Sequence, residues 1–332
     1  MNRPRSGLRW MNSPHNASSR GICCRKSSYL ALAGLLWCLG FCRAQDEVIE
    51  NLREDTVSQE DMANPVTGLY DSRATLLQWS YGTSFGGGAP LDEPLHSDRP
   101  DFTETSTTVG RGVTQLEMGY TYRQDANDGE RTHSHRYPEM LCRVGVMADW
   151  LELRLAWNYA HEPGVPAQPL PGQHGAEDLY VGAKVALTPQ EGILPEIAVT
   201  PQMLVPTGAD EFTAGEVLPG INWLYGWDIT DRLSFAGSSQ CNRALDEETD
   251  APFLLLAQSF TVGISLSEHL GNYYEWFVLV PDGADSQSTE HYFNGGFTIP
   301  VTLNLQLDVR AGIGLNDAAE NFFAGAGAVV RL

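Results

Sequence analysis

The chain has 332 residues, of which 42 are Asp or Glu and 21 are Lys or Arg, so its formal net charge is −21 at pH 7. This acidic balance excludes a nucleic-acid-binding protein, because such proteins neutralise phosphates with an excess of basic side chains. The charge fits an exported surface protein and favours bound cations, but it specifies no ligand.

The first 44 residues predict an export signal peptide. Basic residues precede an apolar run at residues 29–41 that is too short to cross a bilayer as a helix. Ala44 offers a small-residue cleavage site, whereas the bulky residues before Cys38 and Cys42 argue against a lipoprotein. Without this segment the chain keeps 14 Lys and Arg against 42 Asp and Glu, a formal charge of −28.

Residues 45–112 are predicted to form an acidic leader, rich in Gly and Pro, ahead of the strands. A charged motif lies in the second half of the leader. A bidentate ion pair between its arginine and a carboxylate would bind the leader to the rest of the chain. The leader is then either a plug held by charges inside a barrel or a turn before the first strand. The residues of this motif are Asp98, Arg99, Asp101 and Glu104.

Strand-length segments follow from residue 113 onward. In the clearest, residues 303–315, seven apolar side chains alternate with polar residues or glycines without a break. Successive strand side chains point to opposite sides, so such a strand has one apolar and one polar face. Strands of about ten residues cross a bilayer within a barrel, whereas those of soluble sheets are commonly half as long. The predicted strands are 113–124, 133–147, 150–159, 177–187, 194–206, 217–229, 233–243, 253–266, 270–280, 290–299, 303–315 and 321–332.

The predicted fold class is therefore all-β: a transmembrane antiparallel β-barrel of about twelve strands over residues 113–332, with short periplasmic turns and longer outer loops. Two prolines, Pro195 and Pro201, count against the strand at 194–206, because each lacks a backbone donor. A secreted β-sandwich is the alternative all-β fold. Charged inner faces of the strands favour the barrel, and so does the difference in length between the connections at its two ends. The tight connections are 148–149, 230–232, 267–269 and 300–302, and the longer ones are 125–132, 160–176, 207–216, 244–252 and 281–289.

Charged side chains share the polar face of several predicted strands. A lipid-facing Arg or Lys at mid-depth costs about 2–4 kcal/mol, so this face must line the interior. The mixed signs favour a network that neutralises itself and fills a narrow barrel. The other interpretation is a charged path for polar solutes. The predicted lumen charges are Glu117, Glu139, Arg143, Glu152, Arg154, Asp178, Lys184, Glu275, Asp308 and Arg310.

The pattern His133-Ser134-His135 suggests a hydrolase only superficially. Both histidines share one face of a strand while Ser134 points to the other, so they form no nucleophile–base pair within the strand. Two histidines at this spacing could bind a transition metal, but a pair beside a loop is more often solvated. We expect no catalytic residue, no cofactor and no metal site.

Two further patterns are also weak. Residues 125–130 resemble a calcium loop, but Gly129 and Arg136 occupy its fifth and twelfth positions, and the twelfth requires a carboxylate. Cys142 and Cys241 are predicted to face outward on nearly opposite sides of the cylinder. A disulfide needs Cα atoms within about 7 Å, so we expect none between them.

Six segments of the sequence are distinctive as a set: 97–104 (SDRPDFTE), 113–122 (VTQLEMGYTY), 138–146, 150–154, 205–208 and 307–316. They resemble the family described as Putative MetA-pathway of phenol degradation, and together they cover most of residues 97–332. The resemblance implies an outer-membrane barrel, mostly named as a transporter, with no defined substrate. The chain departs from outer-membrane barrels at Val330-Arg331-Leu332, where an aromatic residue commonly ends the chain.

The sequence thus predicts an exported outer-membrane channel that moves small solutes passively and performs no chemistry. Its expected partners are outer-membrane lipid, a small solute of unknown chemistry and the barrel-assembly machinery. Two other functions stay open. One is a structural or adhesive surface barrel without transport, and the other is a barrel-embedded lipid hydrolase that uses His133 or His135.

Overall fold

The computed structural model describes residues 94–127, 130–162, 172–246 and 248–332. The predicted export signal and residues 45–93 of the leader lie outside this part of the chain. Among the described residues, no helix is long and apolar enough to cross a membrane.

Regular structure in the described ranges consists of thirteen β-strands. Nearly all reach ten residues or more, as the alternating pattern predicts. They are β1 (Thr114–Asn127), β2 (Glu130–Gly145), β3 (Leu151–Glu162), β4 (Gln173–Ala176), β5 (Leu179–Thr188), β6 (Glu196–Val205), β7 (Leu218–Thr230), β8 (Leu233–Leu245), β9 (Pro252–Ser267), β10 (Leu270–Asp282), β11 (Glu290–Thr302), β12 (Leu305–Gly314) and β13 (Phe322–Arg331).

The sheet closes on itself. Apart from β4 and β5, which do not pair with each other, each strand pairs antiparallel with its neighbours in sequence, and β1 pairs with both β2 and β13. The short β4 continues β5, because β3 pairs with both: Tyr159 lies opposite Ala176 and Ala156 opposite Tyr180. The two pieces count as one barrel strand, interrupted at residues 177–178. The predicted antiparallel barrel of twelve strands is confirmed.

The connections differ between the two rims. At one, β7 is joined to β8, β9 to β10 and β11 to β12 by two residues each; we call it the short-turn rim. The opposite, long-loop rim carries most of the longer connections. Two predicted loops are shorter than expected. The β1–β2 ladder extends to the pair Asn127 and Glu130, and β4 occupies part of the predicted loop at 160–176. The calcium-like pattern thus falls mostly within a hairpin, with residues 128–129 outside the described part.

Strand β12 shows how the two faces are used. Its side chains Leu307, Val309 and Ile313 are 42%, 44% and 48% exposed on the outside of the barrel, whereas Asp308 is 2% exposed inside it. Burial of the charged face together with exposure of the apolar one inverts the pattern of a soluble protein. It is the pattern of a barrel surrounded by hydrocarbon.

Prolines are accommodated where the ladder is irregular. Pro201 lies within β6 and pairs with Ile221 of β7. On the β5 side, the register passes from Gln202 directly to Val199, so the missing N–H falls at an interruption. The strand predicted at 194–206 forms as Glu196–Val205, so it includes Pro201, whereas Pro195 lies just before it. Cys142 on β2 and Cys241 on β8 are not joined by a disulfide.

Candidate functional site in the barrel lumen

The end of the leader lies inside the barrel. We call residues 94–112 the lumen segment. Its first residues are held at the short-turn rim, where the Leu95 N–H donates to the Leu303 carbonyl at 3.1 Å. Its last residues return to the same rim, where the Arg111 N–H donates to Asp149 at 3.0 Å. Between these ends the segment enters the lumen and contacts the inward faces of several strands.

Asp98 is the central anion of the lumen segment. Its carboxylate lies 2.6 Å from Arg154 Nη1, 3.0 Å from Lys184 Nζ and 3.6 Å from Arg143 Nη1. All four side chains are between 0% and 4% exposed. The cations come from β2, β3 and β5, so one carboxylate of the segment ties together three strands of the wall. Charges buried this deeply persist only when they are paired.

The same cations are neutralised by acidic residues of the wall. Arg143 donates two hydrogen bonds to Glu152, at 2.8 and 2.9 Å, and a third to Glu117 at 3.2 Å. Glu152 also accepts from Arg154 at 3.2 Å and from the Val109 N–H at 2.9 Å. The predicted inner charges of these three strands therefore form one network with the lumen segment.

Arg99 links the segment to the adjoining part of the wall, around β1. It donates two hydrogen bonds to Asp308 on β12, at 3.2 and 3.1 Å, and lies 3.4 Å from Glu139 on β2. The guanidinium fits against Gly119 and Gly327, which face each other across β1 and β13. A Cβ on either glycine would overlap it. This pair of glycines is therefore required for the close approach of Arg99.

Glu275 on β10 binds the backbone of the segment. Its carboxylate accepts hydrogen bonds from the Phe102 N–H at 2.8 Å and the Thr103 N–H at 2.7 Å. Asn294 of β11 and Thr261 of β9 donate to the same carboxylate at 2.7 and 3.0 Å. A carboxylate that accepts this many donors fixes the position of the chain at residues 102–103.

The remaining predicted residues have other positions. Arg310 donates to the Pro100 carbonyl at 2.7 Å and so also holds the segment. Glu104 is 3.3 Å from Arg154 and 21% exposed. Asp101 lies half-buried among the residues that line the cavity. Asp178 departs from the predicted network: its carboxylate accepts from the backbone of residues 208 and 214, in the β6–β7 loop at the long-loop rim. It is buried and lies at the break between β4 and β5.

Several uncharged polar residues also lie in the lumen, although the prediction, which considered only charged residues, did not include them. Gln115 donates to the His96 carbonyl at 2.8 Å, and the hydroxyls of Thr103 and Ser259 lie 2.6 Å apart. Asn294 and Thr261 reach Glu275 as described. All of the wall residues occupy inward positions, so the same alternation applied to uncharged polar side chains would have found them.

A cavity of about 810 Å³ lies between the lumen segment and the long-loop rim. Asp98, Arg99 and Phe102 form part of its lining on the segment side, and Glu216 and Asp250 do so at the loops. The charged side chains of this lining comprise nine carboxylates and five arginines. The cavity is therefore acidic overall.

One wall of this cavity is apolar. Phe102 of the segment stacks on Phe277 with ring centroids 4.5 Å apart, and Phe277 stacks on Tyr292 at 4.7 Å. These rings belong to a buried cluster that includes Phe253 and Phe323. The aromatic cluster anchors the segment by packing, in addition to the ion pairs. The prediction of a charged interior did not include this wall.

Acidic side chains also organise the long-loop rim. Asp246, after β8, accepts hydrogen bonds from the N–H groups of Glu248 at 3.1 Å, Asp285 at 2.9 Å and Ser286 at 2.8 Å. It thereby ties the β8–β9 loop to the β10–β11 loop. Burial raises the pKa of this carboxyl, but the donated hydrogen bonds outweigh it and lower the pKa to about 2.

The predicted histidine pair lies on the outer face of β2. His135 Nδ1 is 2.9 Å from the hydroxyl of Tyr120, and its ring is 5.6 Å from that of His133. Ser134 occupies the inward position between them. In the described part of the chain, no group of three or more His, Cys, Asp or Glu side chains is arranged to hold a metal ion.

Comparisons with known proteins agree with this architecture. A family model described as Putative MetA-pathway of phenol degradation matches residues 97–332. An outer membrane channel from Pseudomonas putida F1 is similar in structure, with a TM-score of 0.57 and 14% identity over 68% of this chain and 98% of that one. The NanC porin and the KdgM porin each give a TM-score of 0.43 and 12% identity, over 65% of this chain and 98% of theirs. No curated protein matches the sequence.

The family match covers well over half of the chain, and the channel from Pseudomonas putida F1 has the same fold. The chain is therefore an outer-membrane β-barrel that belongs to the family described as Putative MetA-pathway of phenol degradation.

Proposed function

We propose that this protein is a passive channel for small solutes in the outer membrane, and that its own lumen segment closes it in the described conformation. The observation that carries this proposal is the path of residues 94–112, which enter the lumen and bind several strands of its wall through Asp98 and Arg99. A solute would pass only after this segment has moved.

The contacts of the segment support a closed state that is stable but reversible. Asp98 and Arg99 form ion pairs with the wall, and Phe102 and Thr103 bind β10 by stacking and hydrogen bonds. Paired charges inside a barrel become solvated when water enters, so their separation costs less there than in a dry protein core. This combination suits a segment that leaves its site and returns to it.

The cavity supports a channel rather than a solid structural barrel. Its volume of about 810 Å³ is within the range of sites that hold small molecules. Nine carboxylates against five arginines in its lining predict that cations and neutral solutes enter more readily than anions. The family name contains phenol degradation, but we assign no aromatic substrate from a name.

Single-channel conductance and liposome swelling test this proposal. The full chain, reconstituted in a planar bilayer or in liposomes, should conduct weakly and permit slow entry of sugars. Deletion of residues 94–109 should raise both signals and leave a reversal potential that favours potassium over chloride. Folding of each variant is checked by heat-modifiable migration in gel electrophoresis.

A structural or adhesive barrel is the second candidate function. It would give no conductance and no swelling with either the full chain or the deletion variant, although both would be folded. A lipid hydrolase is the third candidate. Replacement of His133 and His135 together by Gln should leave any lipase signal of the purified protein unchanged, because neither histidine shares a face with Ser134.

A further inference from the structure

Four histidines, from three separate segments of the chain, gather on the outer face of the barrel. His135 of β2 lies directly opposite His161 of β3, and His161 lies opposite His174 of β4. Their ring centroids are 6.1 Å apart in both pairs. His133 is two residues before His135, at the next outward position of β2, with its ring 5.6 Å from that of His135. We call these four residues the histidine row.

The position of the row relative to the membrane follows from the residues below it. Along β3 the outward side chains are Leu155, Trp157, Tyr159 and then His161. Leu155 is 38% exposed on the outer surface, and Trp157 and Tyr159 follow it as an aromatic pair with centroids 6.5 Å apart. Aromatic residues of outer-membrane barrels lie at the membrane–water interface. The histidine row is therefore one step beyond that interface, at the level of the lipid head groups on the long-loop side.

The surroundings of the row are basic or aromatic. On β1, Tyr120 and Tyr122 face it, and the ring of Tyr122 is 5.4 Å from that of His135. On β2, Tyr137 lies below the row and the exposed Arg131 above it. On β3 and β4, Tyr159 packs against His174 with centroids 6.3 Å apart.

Carboxylates of these strands lie on the other side of the wall. Asp125, Glu162 and the ion pair between Arg136 and Glu177 occupy inward positions. Among the described side chains, the outward positions of β1 to β4 beyond the aromatic residues include no Asp or Glu.

Histidine is the side chain whose charge ordinarily changes between pH 5 and 8. Protonation of neighbouring imidazoles about 6 Å apart is opposed by their mutual repulsion, unless an anion lies between them. Proton uptake by the row and binding of an anion are therefore coupled, and each favours the other.

We propose that the histidine row binds the phosphate groups of outer-leaflet lipid in mildly acidic conditions. The occupant is a lipid rather than free phosphate, because the row continues a lipid-facing surface on which acyl chains pack against Leu155 and Trp157. Charge complementarity supports the assignment, since the exposed Arg131 lies beside the row and the described outward positions around it include no Asp or Glu. The proposal rests on the barrel and its orientation in the membrane, not on the proposed channel function.

The test measures lipid binding to the folded full chain in detergent by native mass spectrometry. The probe is lipid A, a glycolipid with two phosphate groups, and phosphatidylcholine is the zwitterionic control. Wild-type protein should bind lipid A about tenfold more tightly near pH 5.5 than near pH 7.5. The binding of phosphatidylcholine should not change between these conditions.

Variants distinguish the row from the rest of the surface. The triple variant His135→Gln, His161→Gln and His174→Gln should lose the pH dependence, while His161→Arg should bind lipid A tightly at both pH values. His269→Gln is the matched control, because His269 is exposed in the β9–β10 turn at the opposite rim. It should behave as the wild type.

Three results would overturn the proposal. The first is an affinity for lipid A that is equal at both pH values, or a pH dependence that survives in the folded triple variant. The second is equally tight binding of inorganic phosphate, which would make the row a site for free anions. The third is tight binding of Zn²⁺ that the triple variant abolishes while lipid binding is unaffected, which would make it a metal site.

Discussion

Substitution of Asp98 by Asn is the sharpest test of closure by the lumen segment. Asp98 faces Arg143, Arg154 and Lys184, and all of these side chains are almost fully buried. Removal of one partner from a buried ion pair typically costs about 3–5 kcal/mol. Because Glu152 still neutralises two of these cations, we expect the lower end, about 3 kcal/mol. At 1.4 kcal/mol for each factor of ten, the ratio of open to closed channels should rise about 10²-fold.

The assay is the open probability of single channels in planar bilayers. Asp98→Asn should convert a mostly closed channel into one with frequent openings. Arg243→Gln is the matched control, because it removes an ion pair with Glu216 that is 32% and 42% exposed and lies outside the segment. Exposed pairs contribute little, so this variant should behave as the wild type.

A reversible disulfide lock between the segment and the wall distinguishes opening by movement of the segment from a non-specific increase in conductance. Thr103 and Ser259 have hydroxyl oxygens 2.6 Å apart, so cysteines at these two positions are placed to form a disulfide. The two cysteines are introduced into the Asp98→Asn variant, in which Cys142 and Cys241 are also replaced by Ala. Oxidation should close this channel and reduction should reopen it. If Asp98→Asn conducts like the wild type, or if the oxidised lock stays open, closure by the segment is refuted.

Three further predictions concern the anchors of the segment and the loops. Gly327→Val should displace the flexible Arg99 guanidinium from Asp308 and raise the open probability, since a Cβ overlaps it; unchanged conductance would contradict this. Phe277→Ala removes the stack on Phe102 and should lower the free energy of unfolding by about 3 kcal/mol. Phe297→Ala, at an outward position, is the control. Equal losses in the two variants would contradict the assigned role of Phe277. Asp246 has a pKa lowered to about 2, so its stabilisation of the loops is present above about pH 4 and is lost as the pH falls towards 2. Pepsin should therefore cleave residues 283–289 faster in Asp246→Asn than in the wild type at pH near 4, and the difference should vanish near pH 2.

The barrel and its inward charges were predictable because both depend on a local rule. Side chains of a strand alternate between two faces, so Leu307 and Asp308 must point in opposite directions wherever the strand lies. A charged row beside an apolar row then decides which face meets lipid. The same rule placed Arg143, Glu152 and Lys184 in the lumen. At Asp178 a break between β4 and β5 interrupts the alternation.

Loop lengths were less predictable than strands. The β1–β2 hairpin continues to Asn127 and Glu130, although its polar sequence at 125–132 suggested a loop. Hydrogen bonds between strands extend a hairpin independently of the hydrophobic pattern, once the two chains are already adjacent. A prediction based on apolar alternation therefore ends a strand where the membrane ends, and the backbone ladder continues beyond it.

The sequence by itself determined the strands, the closed barrel and the sign of each face, because these follow from the two-residue period of a strand and from the solvent that each face meets. The tertiary structure decided which distant residues meet. Arg99 reaches Asp308, 209 positions away, because the lumen segment follows an irregular path with no period to read. Phe102 meets Phe277 for the same reason. His135, His161 and His174 form a row only because the register of three strands aligns them, and no short stretch of sequence encodes that register.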